Sequence, residues 1–138
     1  MGGVAVRGIG RGLSGVGIGL AVVGLAAVPA HAKGDVAVAA PRTAVVGKAF
    51  KVSAHGDDDA ARYLRICVQE RSGKGAWRQV GCGAVVRRGG PEGRAAVQVK
   101  AVRRGGLQFR AVMYGLKGPH DLRPVRWRAS DVVSVRVR

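Results

Sequence analysis

From residue 33 onward, apolar and polar side chains alternate with a period of two almost throughout the chain. Residues 63–70 are the clearest case, with Leu64, Ile66 and Val68 at every second position and Arg65, Cys67 and Gln69 between them. Because successive side chains of a strand point to opposite faces, this alternation predicts a strand with one buried face. No stretch repeats apolar residues at the helical spacing, so we expect no helix.

The same periodicity divides residues 33–138 into seven or eight short strands. Predicted strands cover residues 35–40, 48–54, 63–70, 76–86, 95–102, 107–114 and 125–138, the last kinked near Ala129 and Ser130. On the later strands the expected inward side chains are Ala95, Val97, Val99, Ala101, Leu107, Phe109, Ala111, Met113, Val133, Val135 and Val137. Short strands that recur every 8–12 residues or so predict an all-β fold, a single β-sandwich.

The first 32 residues have the three-part pattern of a cleaved export signal. Two arginines precede residues 12–28, which are uncharged and mostly apolar, and the small residues Ala30 and Ala32 suit signal peptidase. The alternative is an uncleaved anchor, but an apolar run of about 17 residues is at the short end for a membrane span. We therefore predict cleavage before Lys33 and a secreted, monomeric domain over residues 33–138 without a membrane span.

Cys67 and Cys82 are the only cysteines of the chain. Export would bring them into an oxidising compartment, so we predict that they form a disulfide. A metal site is not expected, because two cysteines without neighbouring histidines supply too few ligands.

The turn residues 72–75 place both cysteines in one predicted hairpin. A two-residue turn at residues 74–75 would pair residues whose numbers sum to 149, which sets the two cysteines opposite each other. That register also opposes Arg71 and Arg78, which favours some slippage or a longer turn. Alternation then places Trp77 on the core face and the disulfide on the outer face, as a surface staple.

Charge is the strongest remaining signal. Residues 33–138 contain 22 Lys and Arg against 8 Asp and Glu, a net charge of +14. Such a surface attracts polyanions, whether nucleic acid, anionic envelope polymers or anionic lipid headgroups. The alternative is that the arginines reflect the codon bias of a GC-rich genome, which also explains the dominance of Gly, Ala and Val.

Two Arg-Arg-Gly-Gly segments, residues 87–90 and 103–106, are predicted turns that together form a basic rim. The candidate basic patch consists of Arg87, Arg88, Arg103, Arg104, Arg123, Arg126 and Arg128. We expect no specific recognition of nucleic acid, because surface aromatics on which bases could stack are nearly absent.

Candidate catalytic and metal-binding residues are few. Ser53, His55 and Asp57 alternate along one strand and turn, and His120 lies in a loop, but neither group has the supporting site that a catalytic triad needs. The run of aspartates at residues 57–59 lacks the spacing of a calcium loop and is interpreted as a solvated loop. We predict neither an enzyme nor a cofactor.

Four segments carry a family resemblance, all within residues 35–138. The sequences Gly-Leu-Gln-Phe-Arg-Ala at 106–111 and Ser-Asp-Val-Val-Ser-Val-Arg-Val at 130–137 resemble the last two strands of bacterial immunoglobulin-like and fibronectin-type-III-like modules. Val-Gly-Lys at 46–48 resembles their entry to the second strand, and Gly-Ala-Trp at 75–77 a hairpin return with an inward Trp. The resemblance implies an exported, actinobacterial-type immunoglobulin-like β-sandwich.

Three functions remain open. The leading hypothesis is a secreted, non-enzymatic immunoglobulin-like binding or structural module that acts through its loops, with an unknown extracellular protein or anionic envelope polymer as partner. One alternative is a cationic binder of anionic envelope polymers. Another is a small secreted proteinase inhibitor whose reactive segment is the loop at residues 115–124 or the turn at residues 72–75.

Overall fold

The computed structural model describes residues 35–138, which contain strands and connecting loops and no helix. The predicted signal peptide, with Ala30, Ala32 and Lys33 at its cleavage site, lies outside these residues. The ten strands are β1 (Val36–Ala39), β2 (Thr43–Ala44), β3 (Ala49–Gly56), β4 (Tyr63–Ser72), β5 (Arg78–Cys82), β6 (Val86–Arg87), β7 (Gly93–Lys100), β8 (Gly105–Leu116), β9 (Val125–Ala129) and β10 (Val133–Val137).

The strands form two sheets. The smaller sheet has the order β1-β3-β7, and the larger one has the order β2-β10-β8-β4-β5, with β9 paired to β8 and β6 paired to β4. Neighbours are antiparallel except β2 and β10, which run parallel. The fold is an immunoglobulin-like sandwich, as predicted, because β1, β3 and β7 form one sheet and the remaining strands form the other.

The core lies between the inner faces of the two sheets, on the side chains that alternate along each strand. Phe109 of β8 is its largest fully buried side chain and meets the ring of Phe50 edge-on, with the centroids 5.9 Å apart. The other buried members are Val52, Ala54, Ala61, Leu64, Ile66, Val68, Ala95, Val99, Ala111, Met113 and Val135. The inward faces predicted from the alternation are confirmed.

The last predicted strand is two strands that share one edge of the long strand β8. Ser130 separates them and replaces a ladder pair: its N–H donates to Ala111 O, and its Oγ accepts from Ala111 N–H, both at 2.8 Å. The predicted kink near Ala129 and Ser130 is confirmed. A bulge at Trp127, between the pairs made by Arg126 and Arg128, bends β9 further.

The cysteine prediction is confirmed, because Cys67 and Cys82 face each other across β4 and β5 and are disulfide-bonded, with Cα atoms 4.0 Å apart. The register then shifts by one residue between Val68 and Gln69, so paired numbers sum to 148 toward the turn. The turn is closed by Gly75 N–H donating to Ser72 O (2.9 Å), not by the two-residue turn at 74–75.

The register shift corrects two expectations. Arg78 lies opposite Glu70, with 2.6 Å between guanidinium nitrogen and carboxylate oxygen, which removes the opposition to Arg71. The prediction that Trp77 lies in the core is wrong. The shift of the β4–β5 register by one residue turns its side chain to the outer face of the larger sheet. The prediction that the disulfide lies at the surface is wrong for Cys67, which is fully buried on a central strand. Cys82 is exposed.

Two glycines let the edge of the larger sheet, at and after β5, approach the smaller sheet. A Cβ atom on Gly83 would overlap the carbonyl oxygen of Arg94 in β7, and one on Gly81 would overlap the side chain of Val97. Gly83 N–H also donates to Ile66 O (2.9 Å). This close contact interrupts the strand predicted over residues 76–86, which continues only as the two-residue strand β6.

Candidate functional site

The strand register divides the connecting loops between two ends of the sandwich. The pairs Ala49–Lys100, Ser72–Leu107 and Gly105–Val137 lie at one end. The pairs Gly56–Gly93 and Tyr63–Leu116 lie at the other. Strand β8 connects the two ends with twelve residues, a length of roughly 40 Å.

We call the first of these the basic end. Its cationic side chains are Arg42, Lys48, Lys74, Arg78, Lys100, Arg103, Arg104, Arg136 and Arg138. Among the acidic side chains of residues 35–138, Glu70 alone lies there, and Arg78 already pairs with it. The other eight cations at this end therefore have no acidic side chain beside them within the described part of the chain.

The opposite end has a balanced charge. Its acidic side chains are Asp35, Asp57, Asp58, Asp59, Glu92 and Asp121, and its cations are Arg62, Arg87, Arg88, Arg94, Lys117, Arg123 and Arg128. Ion pairs join Glu92 to Arg94 (2.7 Å) and Asp58 to Arg128 (3.7 Å). The net charge of the domain is thus concentrated at the basic end.

Two neighbouring grooves open at the basic end, of about 510 and 490 Å3. Lys100, Arg103 and Arg104 line the first, and Arg42 and Arg136 line the second. Both grooves include residues 105–106, two glycines at which an added Cβ would meet nothing within 4 Å. A strip of bare backbone therefore separates two cation-lined grooves, which leaves room for an anionic chain to cross.

Backbone hydrogen bonds hold the loops of the basic end together. Gly47 N–H donates to Ala101 O and Val46 N–H donates to Arg138 O, each at 2.9 Å. Gly47 has a φ of 82°, which favours glycine at this turn. The backbone segments that carry Lys48, Arg103 and Arg138 are therefore fixed relative to one another.

The structure does not bring the predicted basic patch together. The segment 87–90 precedes β7 and the segment 103–106 follows it, so the two Arg-Arg-Gly-Gly segments lie at opposite ends of one strand. Arg123 lies in the loop at residues 117–124, and Arg126 and Arg128 lie on β9. Only Arg103 and Arg104 of the seven belong to the basic end.

Sequence reasoning missed most of the basic end, including Arg42, Lys100 and Arg136. The missing step was topological: in an immunoglobulin-like strand order, the connections β1–β3, β4–β5 and β7–β8 meet at one end. Assigning cations to those three connections, rather than to repeated motifs, would have found five of the nine, and the other four lie at strand ends that pairing brings beside them.

The outer face of the larger sheet holds a second group of cations around Trp77. The guanidinium carbons of Arg71 and Arg110 lie 4.5 and 4.4 Å from the centroid of its ring. Each arginine donates through Nε across the strands, Arg71 to Gln108 (2.6 Å) and Arg110 to Gln69 (2.7 Å). Burial, followed by the nearby positive charges, lowers the pKa of the Arg110 guanidinium.

Aromatic rings on this face contradict the expectation that surface aromatics are nearly absent. Tyr63 and Trp77 are both half-buried here, and Arg87 lies over the Tyr63 ring at 5.7 Å and donates to its hydroxyl at 3.3 Å. Arginines therefore already stack on both rings, which leaves them less open to nucleic-acid bases than free aromatic surfaces.

The candidate catalytic and metal-binding residues have other contacts. The Nδ1 atom of His55 lies 3.3 Å from Glu92, and His120 is exposed in the loop at residues 117–124. Asp58 accepts a hydrogen bond from Ala60 N–H (2.8 Å). Within residues 35–138, no group of three or more His, Cys, Asp or Glu side chains is placed to hold a metal ion.

The predicted reactive loop begins later than expected, because β8 extends to Leu116. Asp121 organises what remains of it, accepting hydrogen bonds from Lys117 N–H (3.0 Å) and Arg123 N–H (2.9 Å). These two bonds lower the pKa of the Asp121 carboxyl. Leu122, next to this anchor, is 94% exposed.

Comparison with known proteins finds a likeness only among solved structures. No family model matches the sequence, and no curated protein matches it. Among solved structures, the chain is similar to the CARDB domain of a Pyrococcus furiosus protein, which was crystallised in complex with di-metal ions. The two share 12% identity and a TM-score of 0.47 over 75% of this chain and 86% of that one. The fold assignment rests on the strand order and register described above.

Proposed function

We propose that this chain is a secreted, non-enzymatic immunoglobulin-like binding module that holds anionic surfaces of the cell envelope through its basic end. The observation that carries the proposal is the composition of that end, with nine cationic side chains and one acidic side chain on loops and strand ends that hydrogen bonds join. The disulfide between Cys67 and Cys82 supports an extracellular location, since such bonds persist in oxidising compartments.

The physical basis is electrostatic. Clustered cations create a local positive potential that raises the concentration of anions at the surface and speeds their encounter. A polyanion that binds there releases its condensed counterions, so the affinity falls linearly with the logarithm of the salt concentration. The two grooves on either side of residues 105–106 give an extended polymer more than one row of contacts.

Retention on a column of immobilised heparin tests the proposal. Heparin is a sulfated polymer and serves here as the anionic probe. The double variant Arg103→Ser/Arg104→Ser should reduce the slope of log affinity against log salt by about two and weaken binding about 30-fold at physiological salt. The matched control is Arg87→Ser/Arg88→Ser, which removes the same charge from the opposite end. Equal losses in the two variants would show that net charge alone governs binding, and the proposal would fail.

A second candidate function is inhibition of a secreted proteinase through the loop at residues 117–124. It is favoured by the isolated exposure of Leu122 beside the hydrogen-bonded Asp121. Titrating subtilisin and trypsin with the protein tests it, with Leu122→Gly as the variant that should abolish inhibition. Full enzyme activity at micromolar concentrations of the unaltered protein would rule this function out.

A further inference from the structure

Three valines at the basic end are exposed although the core of a sandwich is where valines normally lie. Val102 is 79% exposed, Val45 is 52% exposed and Val46 is 37% exposed. The hydrogen bond from Gly47 N–H to Ala101 O joins their two loops. Val46 directly precedes Gly47, and Val102 directly follows Ala101. The valines therefore form one apolar tip.

Cations surround this tip on every connected segment. Lys48 follows the two valines of the first loop, and Lys100, Arg103 and Arg104 flank Val102. Long basic side chains lie along an apolar surface with their stems and keep their charges at its rim. The result is an exposed apolar group with cations beside it on both of its loops.

A soluble polyanion uses only the cations of such a surface, whereas a lipid bilayer uses both components. Apolar side chains enter the boundary between headgroups and acyl chains, while Lys and Arg contact the phosphates of anionic lipids. We infer that the basic end docks on a phospholipid bilayer containing anionic headgroups, with Val45, Val46 and Val102 inserted at the interface. This inference rests on the proposed function and names its partner.

The opposite end shows why the basic end is the docking surface. It also exposes apolar side chains, since Leu122 is 94% and Val125 59% exposed. Six carboxylates offset the seven cations of that end, so it has little net attraction for anionic headgroups. Exposed apolar area alone therefore does not distinguish the two ends, but apolar area combined with unbalanced positive charge does.

Sedimentation with lipid vesicles tests the inference. The probes are vesicles of equal parts phosphatidylcholine and phosphatidylglycerol, with vesicles of phosphatidylcholine alone as the uncharged comparison. Val102→Ser should lower the partition coefficient on the anionic vesicles about five-fold, because it removes the most exposed of the three valines. Leu122→Ser, which removes a more exposed side chain from the opposite end, should leave the partition coefficient unchanged.

Heparin retention separates this inference from the proposed function. Val102→Ser should elute from heparin at the salt concentration of the unaltered protein, since it keeps every cation. Its thermal midpoint should also be unchanged, which excludes misfolding. The lipid inference alone is overturned if the unaltered protein is retained on heparin but does not bind vesicles, or if Val102→Ser binds vesicles equally well. If the unaltered protein binds neither heparin nor vesicles, the proposed function is overturned as well.

Discussion

The two ends of this sandwich begin from the same local sequence and differ in their surroundings. Each carries an Arg-Arg-Gly-Gly segment, at residues 87–90 and 103–106. The first lies among six carboxylates. The second lies among seven further cations, of which only Arg78 is paired with a carboxylate, so only the second produces a strong positive field. A charged motif therefore acquires its electrostatic meaning from the loops that the strand order places beside it.

The ends also differ in how they are held. The β4–β5 hairpin, whose turn lies at the basic end, is closed by the disulfide between Cys67 and Cys82. The loop at residues 117–124 of the opposite end is organised by the carboxylate of Asp121. The hairpin that reaches the basic end is thus closed by a covalent bond midway along β4, whereas the loop of the opposite end is held by hydrogen bonds that depend on pH.

Removal of the disulfide should give the largest effect. The double variant Cys67→Ala/Cys82→Ala releases a loop of 15 residues, which should lower the free energy of unfolding by about 3 kcal/mol. Denaturant titration of the variant and of the unaltered protein measures the difference. A loss below about 1 kcal/mol would mean that strand pairing alone fixes the hairpin.

Glycines at the two ends of β8 give the next comparison. A Cβ atom on Gly115 would lie 2.5 Å from Cε2 of Trp127, whereas one on Gly106 would meet nothing within 4 Å. Gly115→Ala should therefore cost about 2 kcal/mol of stability, as overpacking does. Gly106→Ala should change stability by less than about 0.5 kcal/mol. Comparable midpoints for the two variants in urea would contradict the difference in packing.

Neutralising the carboxylates of the opposite end should reduce the contrast between the ends. The triple variant Asp57→Asn/Asp58→Asn/Asp59→Asn leaves seven cations there with three carboxylates. Affinity for heparin should rise about five-fold, a smaller change than the loss predicted for Arg103 and Arg104. Unchanged affinity would show that the acidic loop has no influence on polyanion binding.

Acidification should give the smallest effect, confined to the opposite end. The pKa of Asp121 is lowered by hydrogen bonds from Lys117 and Arg123, so its stabilising contribution is complete above the ordinary carboxyl pKa. The contribution is lost as the pH falls through the lowered value. The protection factors of the Lys117 and Arg123 amides, which compare hydrogen exchange with the intrinsic rate at each pH, should then fall, while that of Gly47 at the basic end should not. Asp121→Asn should remove this pH dependence.

Alternation along the chain predicted the fold because burial on one face of a strand has a direct sequence period. It placed Phe109 and Val135 in the core correctly, and the numbering of Cys67 and Cys82 predicted their pairing. Trp77 was misplaced because a bulge adds one residue to β5 between the disulfide and the turn. A single added residue reverses the facing of every side chain on the turn side of it, including Trp77. Local propensities carry little information on where such a bulge falls.

The candidate site was predicted less completely than the fold. Arg103 and Arg104 were recognised from their motif, but Arg136 and Lys100 carry no motif and join them only through strand pairing. The cluster depends on which loops share an end, and that is a property of the whole topology. Short patterns therefore identified strands more reliably than they identified a surface.

The contact between Gly83 and Arg94 has a consequence for how molecules of this protein meet one another. Strand β7 forms one margin of the smaller sheet, and an uncovered margin offers backbone groups to which a strand of a second molecule can add. Gly83 lies against the carbonyl oxygen of Arg94, near the start of that margin. The absence of a side chain at Gly83 thus lets the chain cover its own backbone, which opposes strand exchange and fibre growth at this position.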